Sequence, residues 1–296
     1  MAEEIKDTKG SSLLSETDAS ESDEEDSDDE DERDESINEV SGEEPSLNVE
    51  EKELFHQMME AGVFYGRSKS KTNPLLKKFI LTTRSGFEVI DLQKAIEHLK
   101  RAGDVLKNVI ANNGVILFVG TSPACKNIIK ETAEKLESPY VTERWLGGTL
   151  TNFKTISARI SYFKKLKEDK SAGRLIKYTK KEQLEKDKEL LKLERLFGGI
   201  ETLDKLPSMI FIADLSQNQY AAKEAKQKKI PVIGFLNTDT DPTLVDYPIP
   251  GNDRSSASVV LLMKFLEEAA LEGKKEALLK KEEPKEAKTD GEEASK

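Results

Sequence analysis

The chain has 296 residues and a formal net charge of −11, a balance that by itself argues against a nucleic-acid partner. The charge is unevenly spread, because residues 1–50 hold 21 acidic and 3 basic residues whereas residues 154–198 hold 14 basic and 7 acidic ones. Such local positive charge is the signature of a phosphate-binding surface. The single cysteine excludes an internal disulfide, and no apolar run reaches the about 18 residues of a membrane span, so we predict a protein of the reducing cytoplasm.

Both ends of the chain are predicted to lie outside the folded domain. Residues 21–35 contain no apolar side chain and cannot offset the entropy of ordering, so residues 1–53 are predicted to form a disordered acidic tail without the pattern of a secretion signal. Residues 273–296 carry equal numbers of acidic and basic residues and are predicted to be a charged tail that begins as a frayed helix. Residues 54–272 remain for one α/β domain.

The first part of this domain combines helices with a hairpin and a strand. Asp91 precedes a run in which Ala95, Ile96 and Leu99 recur at helical spacing, so we predict that it caps a long amphipathic helix. Gly114 precedes a continuous apolar run, which is typical of a buried parallel strand. The predicted elements are a helix Leu54–Met59 ending near Gly62, strands Phe79–Thr82 and Phe87–Ile90 joined at Ser85-Gly86, a helix Leu92–Ile110, a strand 115–120 and a helix to about Leu136.

Further apolar strands alternate with helices in the last part of the domain. Strands that alternate with helices form parallel sheets, so we predict an α/β fold with a doubly wound, flavodoxin-like parallel sheet. The predicted elements are strands 209–214, 230–236 and Tyr247–Ile249, and helices Gln217–Lys228 and Arg254–Leu271.

Residues 153–200 interrupt this alternation and are predicted to form an inserted helical coiled-coil hairpin. A break at about Lys170–Gly173 separates two arms, and Gly198-Gly199 ends the second arm. Apolar residues recur three and four positions apart, as in a coiled-coil seam; they are Phe153, Ile156, Ile160 and Phe163 on the first arm and Leu190, Leu193 and Phe197 on the second.

Two further segments, one directly before this insertion and one near the start of the domain, are rich in residues suited to binding. The segment RWLGGTLTNF, residues 144–153, contains the single Trp, an adjacent Arg and a Gly pair that lets the backbone approach a partner closely, and its Thr and Asn side chains are predicted to cap the next helix. It is either a binding loop or a tight turn with Trp145 anchored in the core.

Residues 67–78, RSKSKTNPLLKK, carry five basic residues and no acid, which favours phosphate contact over an ordinary solvated loop.

Residues suited to catalysis are scarce. Segment 120–127 follows a strand and opens a helix, where α/β sheets bind phosphates, but it is not a P-loop and a Ser/Thr helix cap explains it better. Asp239 and Asp241 lie near a strand end, as in Mg²⁺ sites, although capping and a turn suffice to explain them. His98 is predicted at the core edge, and Cys125 has no activating base. We therefore predict no catalytic residue, no metal site and no cofactor.

Four long motifs occur in a fixed order, at residues 57–93, 144–153, 208–214 and 230–253. Together they resemble the bacterial ribosomal protein S-two family over about residues 54–270. The resemblance implies a structural, non-catalytic constituent of the small ribosomal subunit that binds small-subunit rRNA near the head–body junction and supports translation on the cytoplasmic ribosome. Its implied partners are neighbouring small-subunit proteins, including the large mRNA-binding protein S-one.

The candidate rRNA-binding residues combine this resemblance with the local charge. They are Arg67, Lys69, Lys71, Asn73, Lys77 and Lys78 in the basic loop, Arg144, Trp145 and Asn152 before the insertion, and Lys154, Arg159, Lys164, Lys165 and Lys167 on its first arm. Many relatives carry His where this chain has Phe64 and Arg67, and acidic and His residues after the position of Asp214. Because this chain lacks those residues, we predict no bound zinc. The acidic tail is also not a general family feature.

Two alternatives remain open at this stage. The rival class of protein is a flavodoxin-like small-molecule or nucleotide-binding enzyme, which needs a phosphate loop and catalytic groups.

A separate hypothesis concerns the acidic tail, which as a flexible coil of about 50 residues spans about 35–42 Å. It would cover the basic insertion transiently before assembly and limit non-specific RNA binding; a merely solubilising tail is the alternative.

Overall fold

A computed structural model describes residues 48–289, with side chains described for residues 48–280. The predicted disorder of residues 1–47 lies outside the described residues. The α-helices of the described part are α1 (Val49–Glu60), α2 (Leu92–Ala111), α3 (Lys126–Lys135), α4 (Phe153–Ser171), α5 (Lys180–Phe197), α6 (Gln219–Gln227) and α7 (Ser256–Thr289). Short 3-10 helices occupy Lys69–Lys71, Pro74–Phe79, Arg174–Lys177, Gly198–Ile200 and Pro242–Leu244.

A parallel five-stranded sheet forms the centre of the fold. Its spatial order is β5-β4-β6-β7-β8, which is the flavodoxin-like order 2-1-3-4-5 when the strands of this sheet are counted from the first. The strand order changes direction between β4 and β6. The topological switch point, where open α/β sheets bind ligands, therefore lies between these two strands. The strands are β4 (Ile116–Val119), β5 (Tyr140–Val141), β6 (Met209–Ile212), β7 (Val232–Leu236) and β8 (Tyr247–Pro250).

Helices cover both faces of this sheet, as predicted for a doubly wound fold. Ile116 and Phe118 of β4 pack in one cluster with α2, α3 and α7, whereas Leu117 and Val119 pack in a second cluster with α4, α5 and α6. A strand that is buried on both faces has no polar side, which explains the continuous apolar runs in the sequence.

A smaller antiparallel sheet precedes the main one, with β1 (Tyr65–Ser68), β2 (Ile80–Arg84) and β3 (Phe87–Ile90) in the order β1-β3-β2. The hairpin of β2 and β3 confirms the prediction, and its turn residues Ser85 and Gly86 both have positive φ, which suits the twist of a two-residue hairpin turn. Strand β1 was not predicted. It is four residues long and its pairing with β3 is irregular between Tyr65 and Ser68, so it leaves no alternating pattern in the sequence.

Helices α4 and α5 occupy the predicted insertion. Ile156, Ile160 and Phe163 are buried on α4, and Leu190 and Phe197 are buried on α5. Side chains bridge the two helices, because the hydroxyl of Tyr162 donates to Glu189 at 3.1 Å and Lys170 pairs with Asp187 at 2.8 Å. A left-handed Gly173 follows α4, and a capping box of Thr179 and Glu182 begins α5. The supercoiled geometry of a coiled coil stays a prediction.

Both predicted domain boundaries fall inside helices. Helix α1 begins at Val49, five residues before the predicted start at Leu54, because Asn48 and Glu51 form a capping box. At the other end, α7 continues to Thr289 and passes the predicted boundary between residues 272 and 273. Gly273 stands at this boundary and is a usual helix-ending residue, but the Lys, Glu, Ala and Leu residues that follow it are good helix formers and the helix continues.

Candidate functional site

The loop RWLGGTLTNF connects β5 to α4 and is held by one carboxylate on α6. Glu224 accepts the indole N–H of Trp145 at 3.1 Å and the backbone N–H groups of Gly148, Leu150 and Thr151 at 2.8, 3.0 and 3.1 Å. Burial alone would raise the pKa of Glu224, but these donors outweigh it and hold the pKa below its ordinary value. The carboxylate of Glu224 therefore accepts hydrogen bonds from four N–H groups of the loop that would otherwise need water.

The side chains of this loop divide into anchors and exposed groups. Trp145 is 8% exposed and packs in the second core cluster, so the core-anchored alternative is confirmed for its side chain. Arg144 and Gly147 beside it are exposed. The predicted capping role of Asn152 is wrong: its side chain accepts the hydroxyl of Thr155 at 2.9 Å and no backbone N–H of α4. Glu224 instead binds the N–H groups of Leu150 and Thr151 in the turn before the helix, and the Asn152 carbonyl accepts those of Thr155 and Ile156.

The basic loop crosses the carboxyl end of β7. Asn73 fixes its path, because its backbone N–H and side-chain amide donate to the carbonyls of Thr238 and Thr240 at 2.8 and 2.9 Å, and its side-chain oxygen accepts the N–H of Leu75. The four predicted lysines of the loop are exposed, and among the described residues none has a carboxylate partner within 4 Å; they are Lys69, Lys71, Lys77 and Lys78.

Arg67 differs from these lysines because its side chain is 11% exposed. Its guanidinium bonds Asp239 at 3.2 Å and Asp253 at 2.8 Å, and Asp253 also accepts the amide of Asn237. Burial raises the pKa of Asp253 although the Arg67 cation opposes that rise. This placement does not favour a direct phosphate contact by Arg67. The guanidinium also brings a positive charge between two carboxylates, which electrostatically opposes a metal cation there.

The β4–α3 loop, residues 120–125, lies at the switch point, where open α/β sheets bind phosphates. Its backbone N–H groups are already engaged, because Thr121 and Ser122 donate to the carboxylate of Asp214 at 3.1 and 2.6 Å. Asn218 also donates to this carboxylate. The predicted Ser/Thr helix cap is wrong, since Cys125 stands at the N-cap of α3 and makes no side-chain cap. A side chain of the protein thus occupies the place where a nucleotide phosphate would bind.

We expect a pH-dependent stability contribution from Asp214. Burial raises its pKa from 3.8 to about 6, although the hydrogen bonds from Ser122, Asn218 and Thr121 oppose the rise. Between these values the folded state binds more protons than the unfolded state, so this contribution is present below pH 3.8 and is lost as pH rises through about 6.

Urea unfolding at several pH values tests this expectation. The free energy of unfolding of Asp214→Asn, relative to the wild type, should rise by roughly 2 kcal/mol between about pH 4 and pH 6.5. The exposed Asp204→Asn variant is the control and should show no such trend. An Asp214→Asn difference that stays constant with pH would contradict the raised pKa.

The five predicted cations of the insertion are of two kinds. Lys164 and Lys167 pair with Asp204 and Glu201 at 3.5 and 3.0 Å, in the segment that follows α5. Lys154, Arg159 and Lys165 are exposed on α4, and no carboxylate of the described residues forms an ion pair with them. Of these five predicted residues, only the second group carries positive charge that no described carboxylate compensates.

The remaining reactive groups are explained by packing. Burial raises the pKa of the Cys125 thiol to about 12, and burial lowers the pKa of His98, whose ring lies edge-on to Phe79 at the core edge as predicted. Asp241 caps the 3-10 helix after β7 by accepting the N–H of Thr243. Among the described residues no three His, Cys, Asp or Glu side chains converge as a metal site, and no helix there has the length and apolarity needed to traverse a bilayer.

The part of the chain that the structure describes is thus a doubly wound α/β domain whose switch-point loop offers no free phosphate cradle, with exposed lysines on a loop and on an inserted helix. Comparison with known proteins places it in a class. The family model described as Ribosomal protein S2 matches residues 58–273. The small ribosomal subunit protein uS2 of Leifsonia xyli is 44% identical over 217 residues, 73% of each chain, and that of Thermobifida fusca is 42% identical over 221 residues, 73% of this chain and 75% of its own. The chain belongs to the ribosomal protein S2 family.

Proposed function

We propose that the protein is a structural constituent of the small ribosomal subunit that binds small-subunit rRNA, supports translation and catalyses no reaction. Its family membership supports this function, because the curated relatives are themselves small ribosomal subunit proteins. The observation that carries the mode of binding is the distribution of uncompensated cations. Seven of the predicted residues are exposed lysines or arginines of the basic loop or of α4 that form no ion pair with a described carboxylate. We call these seven the free cations: Lys69, Lys71, Lys77, Lys78, Lys154, Arg159 and Lys165.

The two segments that carry the free cations both lie at the carboxyl ends of the parallel strands. The basic loop is tied to the residues that follow β7, and α4 is reached through the loop that follows β5. Three strand spacings of about 4.8 Å separate β5 from β7, so the two segments start about 14 Å apart. A folded RNA places phosphates at such separations, and lysines neutralise them without reading sequence.

Three of the other predicted site residues support this surface rather than touch phosphate. Asn73 fixes the basic loop on the residues after β7, Arg67 anchors its beginning, and Trp145 fixes the loop before α4. Asn152 is exposed immediately before α4 and remains available to RNA. Lys164 and Lys167 are weaker candidates because each already has a carboxylate partner.

The proposal extends to partners and location. As a ribosomal protein it would act on the ribosome in the cytoplasm, beside other small-subunit proteins, with the large mRNA-binding protein S-one among its neighbours. The enzyme alternative has no supporting observation, because Asp214 fills the phosphate position and the Cys125 thiol is buried.

Co-sedimentation tests the proposed function. The full chain should sediment with small ribosomal subunits or bind naked small-subunit rRNA, and its affinity should fall steeply as salt rises. Sedimentation apart from subunits at low salt, together with ligand-dependent melting by a mononucleotide, would instead favour the enzyme alternative.

The role of the acidic tail is a separate prediction. The tail hypothesis requires a variant that begins at Leu47, and therefore keeps the Asn48 cap of α1, to bind unrelated RNA more tightly than the full chain at low salt. The difference should close as salt rises, because the Debye length shortens to about 8 Å at 0.15 M. Filter binding with an unrelated transcript measures both affinities, and equal values at low salt would leave only a solubilising tail.

A further inference from the structure

A groove opens at the carboxyl end of the sheet and is lined in part by the loop that leads into α4. Its volume is about 600 Å³, within the range of sites that hold small ligands. It lies at the switch point, because its walls follow β4, β5 and β6. The lining residues are Thr121, Glu143, Arg144, Trp145, Gly147, Gln217, Asn218 and Tyr220.

The floor of the groove disfavours phosphate. Asp214 occupies the backbone donors of Thr121 and Ser122, so an anion there would meet a carboxylate instead of free N–H groups. The wall carboxylate Glu143 is compensated, since it pairs with Lys126 and with Arg195. A ligand must therefore present a neutral part to the floor and keep its anionic part at the rim.

The rim carries the groups that recognise a nucleotide. Tyr220 is 72% exposed, and its ring has Lys223 Nζ 5.6 Å from the centroid, which leaves the ring face away from that cation available for stacking. Arg144 is exposed and provides a cation for a phosphate, while Gln217 provides a side-chain amide for the edge of a base. An aromatic ring, a planar amide and an arginine around a floor that disfavours anions match the parts of an unpaired nucleotide.

The groove is also rigid before any ligand arrives. Trp145 and Gly148 are tied to Glu224 on α6, the same helix that carries Tyr220. On the opposite wall, Asn218 donates to the hydroxyl of Thr121 at 2.9 Å and to Asp214. Binding would therefore order few additional groups, which reduces its entropic cost.

We propose that this groove receives one unpaired nucleotide of the small-subunit rRNA, with its base stacked on Tyr220 and its phosphate beside Arg144. The inference rests on the proposed function and names the part of the RNA that this edge recognises. Its position supports this occupant, because the loop that lines it leads into α4, whose free cations would hold the adjoining backbone. A free mononucleotide has the same chemistry but lacks these flanking contacts.

Two substitutions with different physical effects test the assignment. Tyr220→Ala in the full chain should bind small-subunit rRNA about 5- to 100-fold more weakly, because a base–aromatic stack is lost, without changing the salt dependence. Tyr220→Phe retains the ring and should bind like the wild type. Arg144→Gln should reduce the slope of log K against log salt by about 0.7, the contribution of one phosphate contact on a single strand.

Chemical probing of the bound rRNA locates the nucleotide. At least one unpaired base should be protected by the wild type and by Tyr220→Phe and become reactive with Tyr220→Ala, while the melting temperatures stay equal because the residue is exposed. Unchanged affinity and protection with Tyr220→Ala would overturn the groove assignment alone. Failure of the wild type to bind rRNA would overturn the proposed function itself. Millimolar AMP or UMP should not raise the melting temperature, and a saturable rise with unaltered rRNA binding would assign the groove to free nucleotides.

Discussion

Trp145→Ala is expected to lower the free energy of unfolding by about 3–5 kcal/mol, the usual cost of deleting a large buried side chain. The indole is 8% exposed and packs in the cluster that contains α4, α5 and α6. Its loss would leave a cavity on one face of the sheet and would remove one of the donors to Glu224. Urea unfolding followed by circular dichroism measures this change.

Two variants separate packing from hydrogen bonding at this position. Trp145→Phe keeps an aromatic ring in the core but loses the N–H donor, so it should cost less than Trp145→Ala. Glu224→Ala leaves the indole in place but removes the acceptor of the Gly148, Leu150 and Thr151 N–H groups, and a lost buried partner costs about 1–3 kcal/mol for each group left unsatisfied. Normal stability of Trp145→Ala with reduced rRNA affinity would contradict the anchoring role.

The sequence patterns were sufficient for the fold because they depend on local periodicity. Continuous apolar runs such as 209–212 can lie only between two layers of helices, and their alternation with helices determines a parallel sheet. The insertion could be predicted because its apolar residues recur three and four positions apart, which is the spacing of two paired helices rather than of a buried strand. Strand β1 was missed because its four residues pair irregularly and lack alternation.

The site was less predictable because its supports come from distant parts of the chain. Glu224 lies more than 70 residues after the loop that it binds, and an acidic residue on a helix gives no signal of that contact. Similarly, nothing local distinguishes Arg67, which is held by Asp239 and Asp253, from the exposed lysines that follow it. Pairing across 170 or more residues decides which cations remain free, and a single sequence does not contain that information.

The exposed cations of α4 should dominate the electrostatic part of rRNA binding by the insertion. Replacing Lys154, Arg159 and Lys165 together by Gln should reduce the slope of log K against log salt by up to about 2.7, since each phosphate contact on a duplex contributes about 0.9. The affinity at about 0.1 M salt should then fall by about two to three orders of magnitude. These positions are exposed, so the free energy of unfolding should change by less than about 0.5 kcal/mol.

The same helix provides a matched control of equal charge change. Lys164, Lys167 and Lys170 each have a carboxylate partner, at 3.5, 3.0 and 2.8 Å. Replacing these three by Gln removes the same formal charge but releases three carboxylates from ion pairs, so the slope should change less than in the first variant. Exposed pairs of this kind contribute about 0.2–1 kcal/mol, and the fold should be retained. A control that loses as much salt dependence as the first variant would mean that RNA displaces these carboxylates, and unchanged slopes in both variants would remove the insertion from the interface.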